Sequence, residues 1–146
     1  MRHIMVTTKQ LREVLNITPQ VEKMLEKYPA RDGMIHLYLR HTTAALTTAF
    51  IDEDVDLSLL GAFEIMLPHK TLTDWHSGIS ELEHTHHVGH LPAHVVATML
   101  GPHLMIPIEK NKLKLGTFQS VVLVELNGPK EREIVVYYKE APRFGK

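Results

Sequence analysis

Histidines are concentrated in one short stretch of this 146-residue chain. Six of the eleven fall between positions 76 and 94, namely His76, His84, His86, His87, His90 and His94. Neutral imidazole is the commonest side-chain ligand for transition metals, and three histidines with one open position are a known pattern at catalytic zinc. This density predicts a metal or anion site. The alternatives are a solvated histidine-rich loop and an interface between subunits.

The spacing of these histidines excludes one type of zinc site. His84 and His86 are two apart, so they would share one face of an extended segment. His90 and His94 are four apart, but Leu91 stands where a HExxH zinc protease carries its general-base glutamate, so that motif is excluded. His94 falls in the first turn of a predicted helix, where backbone N–H groups also favour anions.

The composition excludes several classes of protein. The chain has no cysteine, which rules out zinc–thiolate centres, disulfides and thiol nucleophiles, so a metal would need histidine, carboxylate, carbonyl or water ligands. The net charge is −1 and the basic residues are scattered, which argues against a nucleic-acid partner. No stretch approaches the ~20 apolar residues of a membrane span. The N-terminus lacks the apolar core of a signal peptide, so we expect a cytoplasmic protein.

The elements that must position these residues indicate a single α+β domain over residues 1–146. Strands are predicted at 3–8, 34–40, 45–50, 104–108, 113–115, 121–126 and 133–138, with turns at 110–112 and 127–129. The strand 45–50 is expected beside 34–40. Helices are predicted from Thr18, with Thr18 as N-cap, from Asp54 to about Leu67, and from Pro92 to Gly101. Helices followed by consecutive strands favour a mostly antiparallel sheet.

Four motifs run through the chain in a fixed order. They are Arg40-His41-Thr42-Thr43-Ala44-Ala45-Leu46-Thr47, Pro92-Ala93-His94-Val95, Leu113-Lys114-Leu115-Gly116-Thr117-Phe118-Gln119 and Val124-Glu125-Leu126-Asn127-Gly128-Pro129. Together they resemble the signatures of the YjbQ family, whose members are usually described as secondary thiamine-phosphate synthases, and the last of them resembles a hairpin of that family. The resemblance covers nearly the whole chain.

The resemblance implies a fold, an assembly and a set of site residues. The fold is a two-layer, mostly antiparallel β-sheet sandwich with about three helices, and the assembly is a homotrimer with a histidine-lined pocket near the subunit interface. The implied ligands of a divalent metal, zinc first, are His41, His84 and His94, with His86 or His87 as substitutes for His84. The implied groups for a phosphorylated metabolite are Thr42, Thr43, Gly116, Thr117 and Gln119.

Each motif residue also has a plainer structural interpretation, and the chain departs from the family pattern. Threonines are common on strands for packing reasons, and Gly116 suits a bulge. The family commonly carries Asn-Glu after its threonine motif, where this chain has Thr48-Ala49-Phe50-Ile51, with Asp52 or Glu53 as the nearest substitutes. Phe118 replaces the motif tryptophan. Loss of the glutamate weakens the case for catalysis more than the case for metal binding.

Three functions are compatible with these residues. The first is a metal-dependent enzyme acting on phosphorylated small molecules. The resemblance makes that reaction thiamine-phosphate formation, although the chain has no P-loop and no Asp-rich Mg²⁺ motif, and no catalytic residue is assigned. The second is a non-catalytic trimer that binds a metal or a phosphorylated metabolite. The third is a structural trimer whose histidines only line the interface.

Overall fold

The computed structural model describes residues 1–29, 31–51, 61–62 and 91–142. The histidines at 76, 84, 86, 87 and 90 lie outside these ranges, as does the helix predicted over 54–67 apart from residues 61 and 62, which are helical. The described elements are β1 (Arg2–Thr7), β2 (Glu13–Asn16), α1 (Thr18–Leu25), β3 (Gly33–Leu39), β4 (Ala44–Ala49), α2 (Leu91–Leu100), β5 (His103–Glu109), β6 (Lys112–Leu113), β7 (Ser120–Glu125) and β8 (Glu131–Glu140).

The strands form two antiparallel sheets. Five pair in the order β1-β8-β3-β5-β6 and three in the order β2-β7-β4. The predicted α+β class with antiparallel pairing is therefore confirmed, as is the helix predicted from Pro92. The two-layer sandwich and the helix predicted over 54–67 stay predictions. Within the described ranges, no helix is long and apolar enough to cross a membrane.

The first sheet follows the alternation that the sequence predicts. Ile35, Leu37 and Leu39 of β3 are buried, and Ile134 and Val136 of the neighbouring β8 face the same core. α1 and the second sheet contribute further members of this core, among them Val21, Leu25, Leu46, Val121 and Leu123. Both sheets and α1 therefore share one hydrophobic core.

The second sheet is built around β7, which is buried on both faces. Val121 and Leu123 belong to the core shared with the first sheet, whereas Val122 and Val124 pack with residues of α2. A continuous apolar run of this kind is typical of a strand covered on both sides. α2 supplies the second cover, and this contact fixes the helix beside β4 and β7.

Two connections differ from the sequence prediction. The sequence predicts β4 beside β3, but β4 pairs with β7, from Ala44 opposite Glu125 to Ala49 opposite Ser120. It also predicts a hairpin around residues 127–129, but β7 and β8 belong to different sheets. A hydrophobic strand needs hydrogen-bonding partners on its edges, and β7 obtains them from β2 and β4. Both connections therefore cross from one sheet to the other.

The N-cap of the first helix is one residue earlier than the sequence predicts. Ile17 occupies the N-cap position, and the Thr18 side chain instead accepts a hydrogen bond from the backbone N–H of Val121 at 2.9 Å. The side chain of Asn16 accepts the Thr18 N–H at 3.0 Å. The predicted cap role of Thr18 is wrong because its hydroxyl ties the helix to β7.

Left-handed residues end two elements where the sequence predicts. Gly101 follows α2 with φ of 93°, a conformation that favours glycine at a helix C-terminus. Its carbonyl accepts the N–H of Leu46 at 3.0 Å, which anchors the end of α2 to β4. Lys110 and Asn111, with φ of 50° and 60°, form the turn between β5 and β6.

Candidate functional site

One cleft joins two of the four sequence motifs. It has a volume of about 610 Å³ and lies between the end of β3, the connection from β3 to β4, and α2. Its lining residues are Tyr38, Leu39, Arg40, His41, Thr42, Ala44, His94, Ala97, Thr98 and Pro102. The structure thus brings His41, Thr42 and His94 of the predicted site together, while His84 lies outside the described residues.

The crossing between the sheets explains why polar side chains gather here. β3 ends at Leu39 in the first sheet and β4 begins at Ala44 in the second, so residues 40–43 span the gap between them. α2 closes the other side, because Val96 and Ala97 pack into the core beside β7. His94 precedes them on the same helix and lines the cleft.

His41 is held by a backbone group of β8. The N–H of Glu133 donates a hydrogen bond to Nε2 of His41 at 2.9 Å. Burial is the largest influence on this ring and lowers the pKa of His41 below its ordinary value. The charge of Arg132 lowers it further, and the carboxylates of Glu125 and Glu133 offset only part of the effect. His41 is therefore neutral at neutral pH.

Glu133 also forms an ion pair with Arg40. Its carboxylate oxygen Oε2 lies 3.2 Å from Nη1 of Arg40, and Oε1 lies 2.7 Å from Nδ1 of His3. Its carbonyl accepts the backbone N–H of Arg40 at 3.3 Å. The Arg40 side chain is 61% exposed, so this ion pair contributes little to stability. The pair lies beside the cleft that Arg40 lines.

A buried ion pair lies behind the cleft. Arg132 and Glu125 are almost fully buried, and the guanidinium donates to both carboxylate oxygens, at 2.7 Å from Nε and 2.5 Å from Nη2. The Thr8 hydroxyl donates to the same carboxylate at 3.0 Å. Nη2 of Arg132 also bonds Oγ1 of Thr43 at 3.0 Å and its carbonyl at 3.3 Å. Arg132 thereby joins the two crossings between the sheets.

This network keeps Glu125 ionised although it is buried. Burial alone raises the pKa of Glu125. Hydrogen bonds from Arg132, the backbone N–H of Asn127 and the Thr8 hydroxyl outweigh that effect and leave the pKa below its ordinary value. The glutamate of the fourth motif therefore acts as a structural anchor. Thr43, which the sequence predicts as a phosphate contact, is bonded to Arg132 and is 7% exposed.

The remaining predicted residues lie at the other end of β4. Nε2 of Gln119 donates to Oγ1 of Thr48 at 3.4 Å, and its Oε1 accepts the N–H of Gly116 at 2.9 Å. Ala44 and Ala49 are five residues apart, or about 17 Å along a strand. Gly116, Thr117 and Gln119 are therefore separated from the cleft within one chain, as is the position where the family carries Asn-Glu.

An exposed aromatic pair marks this second end. Phe118 and Phe50 have their ring centroids 5.8 Å apart in an edge-to-face arrangement, at an interplanar angle of 85°. Phe118 is 72% exposed and Phe50 is 50% exposed. The two rings therefore form a small exposed apolar contact at the end of β4 away from the cleft.

The two residues that organise the cleft, Arg132 and Glu133, are absent from the predicted site. A signal for Arg132 exists, because it shares the strand face of Ile134 and Val136 and so must point toward the core. A charge at such a position requires a partner. Glu133 gives no signal of this kind, since its contribution to His41 comes from its backbone N–H.

The described residues offer a limited set of metal ligands. In ranges 1–29, 31–51, 61–62 and 91–142, no group of three histidine, aspartate or glutamate side chains is placed to hold a metal ion. His41 and His94 line the same cleft, but Nε2 of His41 already accepts the N–H of Glu133. This donor set does not fit a metal bound at Nε2 of His41.

The chain is similar to proteins of one family. The family model described as UPF0047 protein YjbQ-like matches residues 2–140. A UPF0047 protein of Archaeoglobus fulgidus is 32% identical over 124 residues, which cover 85% of this chain and 89% of the relative. A YjbQ/UPF0047-family crystal structure from Clostridium acetobutylicum has a TM-score of 0.79 at 28% identity, covering 95% of this chain and 100% of that one. The crystal structure of a hypothetical protein from Aeropyrum pernix has a TM-score of 0.80 at 25% identity, covering 96% of this chain and 98% of that one.

Proposed function

Because this chain belongs to the UPF0047 family of YjbQ-like proteins and carries a cleft rich in hydrogen-bond donors, we propose that it binds the phosphate end of a small metabolite there. The observation that carries the proposal is the lining of the cleft. Arg40, His41, Thr42 and His94 contribute a guanidinium, two imidazoles and a hydroxyl to the lining, and no carboxylate is among the described lining residues. The hydroxyl of Thr98 donates instead to the carbonyl of His94 at 2.8 Å.

The charge and size of the cleft support this ligand class. Arg40 is permanently charged, and guanidinium matches phosphate geometry with paired donors. Glu133 compensates part of that charge through its contact at 3.2 Å, but it is not among the cleft's lining residues. The volume of about 610 Å³ falls within the range of roughly 300–1,000 Å³ that small-molecule sites occupy.

The described cleft residues do not favour the reaction that the resemblance implies. Thiamine-phosphate formation displaces pyrophosphate, a group that proteins usually hold with Mg²⁺ and carboxylate ligands. The described cleft residues include no carboxylate. Synthase activity, a zinc ion held with the help of His84, and a cytoplasmic location all stay predictions.

The predicted homotrimer is kept as part of the proposal. Its support is the position of the third motif, which lies with the exposed Phe50 and Phe118 at the end of β4 away from the cleft. A neighbouring subunit would cover this aromatic pair. Light scattering of Phe118→Ser against the wild type tests it, with Tyr137→Ser, another half-exposed aromatic change, as control. A wild-type monomer, or equal loss of assembly in both variants, would refute the trimer surface.

The binding proposal is tested with two matched arginine variants. Arg40→Ala removes the cleft cation, whereas Arg31→Ala removes an arginine near the other end of β3 that is also paired with a glutamate, Glu140. Calorimetric titration with inorganic phosphate and pyrophosphate should show affinity lost by about tenfold in Arg40→Ala, equivalent to about 1.4 kcal/mol, and unchanged in Arg31→Ala. Equal affinities in all three proteins would contradict the proposal.

A further inference from the structure

The hydrogen bond between β8 and His41 determines where the imidazole carries its proton. A backbone N–H can only donate, so the Glu133 N–H at 2.9 Å requires a lone pair on Nε2 of His41. A neutral imidazole has one N–H and one lone pair. When Nε2 provides the lone pair, the proton must be on Nδ1.

We propose that His41 is held as the Nδ1-protonated tautomer and acts in the cleft as a fixed hydrogen-bond donor to an anion, with Glu133 as its positioning residue. The donor role rests on the proposed function, whereas the tautomer rests on the geometry alone. The proposal disagrees with the metal-ligand role that the family resemblance implies for His41, because a metal needs an unprotonated ring nitrogen.

The donor atom is the ring nitrogen of His41 that faces away from β8. The two ring nitrogens point in divergent directions, so a ring whose Nε2 faces β8 turns its Nδ1 edge away from that strand. His41 lines the cleft together with Arg40 and Thr42. An anion seated there meets a guanidinium, a hydroxyl and an imidazole N–H, all of which are donors.

The element that positions His41 is rigid. Glu133 lies in β8, between β1 and β3, where Met5 is its register partner and its neighbour Ile134 is opposite Leu39. Its carbonyl also accepts the backbone N–H of Arg40 at 3.3 Å. The strand backbone on both sides of Glu133 cannot turn without breaking these pairings. The direction of the Glu133 N–H, and with it the orientation of His41, is therefore set before any ligand arrives.

The electrostatic surroundings favour the neutral ring. Burial, and then the charge of Arg132, lower the pKa of His41, while the facing charges of Glu125 and Glu133 raise it by less and Arg40 lowers it slightly. Protonation at Nε2 would also point one N–H at another and break the bond to Glu133. Both effects keep one proton, on Nδ1, at neutral pH.

The tautomer is tested without any ligand. Two-dimensional ¹⁵N NMR of histidine-labelled full-length protein distinguishes Nδ1–H from Nε2–H rings, and the spectrum of His41→Gln identifies the His41 signals. We expect the Nδ1–H pattern in the wild type and in Glu133→Gln, which keeps the backbone N–H, with Glu131→Gln as a control on the same strand. An Nε2–H pattern for His41 overturns the proposal, whether or not phosphate binds.

The donor role is tested by two replacements that mimic the two nitrogens. Asparagine places its amide near the position of Nδ1, and glutamine places its amide near the position of Nε2. Inorganic phosphate should bind His41→Asn within about threefold of the wild type and His41→Gln about tenfold more weakly. The reverse order, or equal affinities, overturns the donor role. An Nδ1–H ring in a protein that binds no phosphate overturns the proposed function and leaves the tautomer in place.

Discussion

Both ends of β4 carry polar residues of the sequence motifs, but these residues are held differently at the two ends. At the Ala44 end, Arg132 and Glu133 hold Thr43, His41 and Arg40 from a buried ion pair and a central strand. At the Ala49 end, the exposed side chain of Gln119 bonds to the exposed Gly116 and to the half-buried Thr48. Polar motif residues therefore differ in their surroundings at the two ends. The first end is held by buried partners, and the second carries the exposed pair of Phe50 and Phe118.

The largest expected effect comes from the buried ion pair at the Ala44 end. Arg132→Ala leaves Glu125 buried without its partner, and we expect a loss of about 3–5 kcal/mol in the free energy of unfolding. Urea denaturation checks this value. Arg31→Ala, which breaks an exposed arginine–glutamate pair, should cost less than about 1 kcal/mol. Similar losses in the two variants would show that the Arg132 pair does not anchor the crossings.

Two glycine-to-alanine substitutions, one near each end of β4, should differ by a smaller amount in the free energy of unfolding. A Cβ at Gly128 would lie 2.3 Å from the carbonyl oxygen of Gln10 and 2.8 Å from Oγ1 of Thr8, so Gly128→Ala must shift backbone. At Gly116 the nearest atom is Oε1 of Gln119 at 3.2 Å, on a side chain that can move. Thermal unfolding should show a loss of roughly 2–3 kcal/mol for Gly128→Ala and within about 0.5 kcal/mol of the wild type for Gly116→Ala. Equal losses would mean that the surroundings of Gly128 are no tighter than those of Gly116.

Two threonine-to-valine variants, one at each end of β4, compare the stabilising effect of a buried hydrogen bond with that of a more exposed one. Thr43→Val removes a buried acceptor from Arg132, whereas Thr48→Val removes a long bond to Gln119. We expect a loss of roughly 1–3 kcal/mol in the first and within about 0.5 kcal/mol of zero in the second. Chemical denaturation of both proteins measures the difference. A harmless Thr43→Val would mean that Arg132 finds sufficient partners without that hydroxyl.

The smallest effect concerns the titration of His41. Its pKa in the folded protein lies below the ordinary value of 6.5, chiefly because of burial. The neutral ring therefore favours the folded state at pH above the unfolded pKa, and this contribution is lost as the pH falls through the folded pKa. NMR titration of the His41 ring should give a midpoint below 6.5. A midpoint at or above 6.5 would mean that the ring is not shielded as described.

The sequence predicts the elements better than their pairing. Alternation in residues 34–40 and the glycine after α2 are local signals, and both are confirmed. The pairing of β4 with β7 is not local, because it depends on β7 being apolar on both faces and recruiting neighbours from distant segments. Because β3 and β4 are close in the sequence, their spacing favours β3 as the partner of β4, which is the wrong pairing.

The candidate site divides in the same way. The motifs identify His41, Thr42 and His94, which the structure places on one cleft. They cannot show that Thr43 turns inward to Arg132, or that the third motif lies at the far end of β4, since both follow from the crossings between sheets. The role of Glu133 depends on a backbone N–H, which every residue but proline has.

A map of backbone amide shifts during titration with inorganic phosphate would locate the binding site directly. If the cleft binds phosphate, saturable changes appear at Arg40, His41, Thr42 and Glu133 and on α2 from residue 94 to 98, with none at residues 116–119. Changes confined to residues 116–119 and Thr48, or no saturable change anywhere, would contradict the claim that the cleft between the sheets and α2 is the binding site.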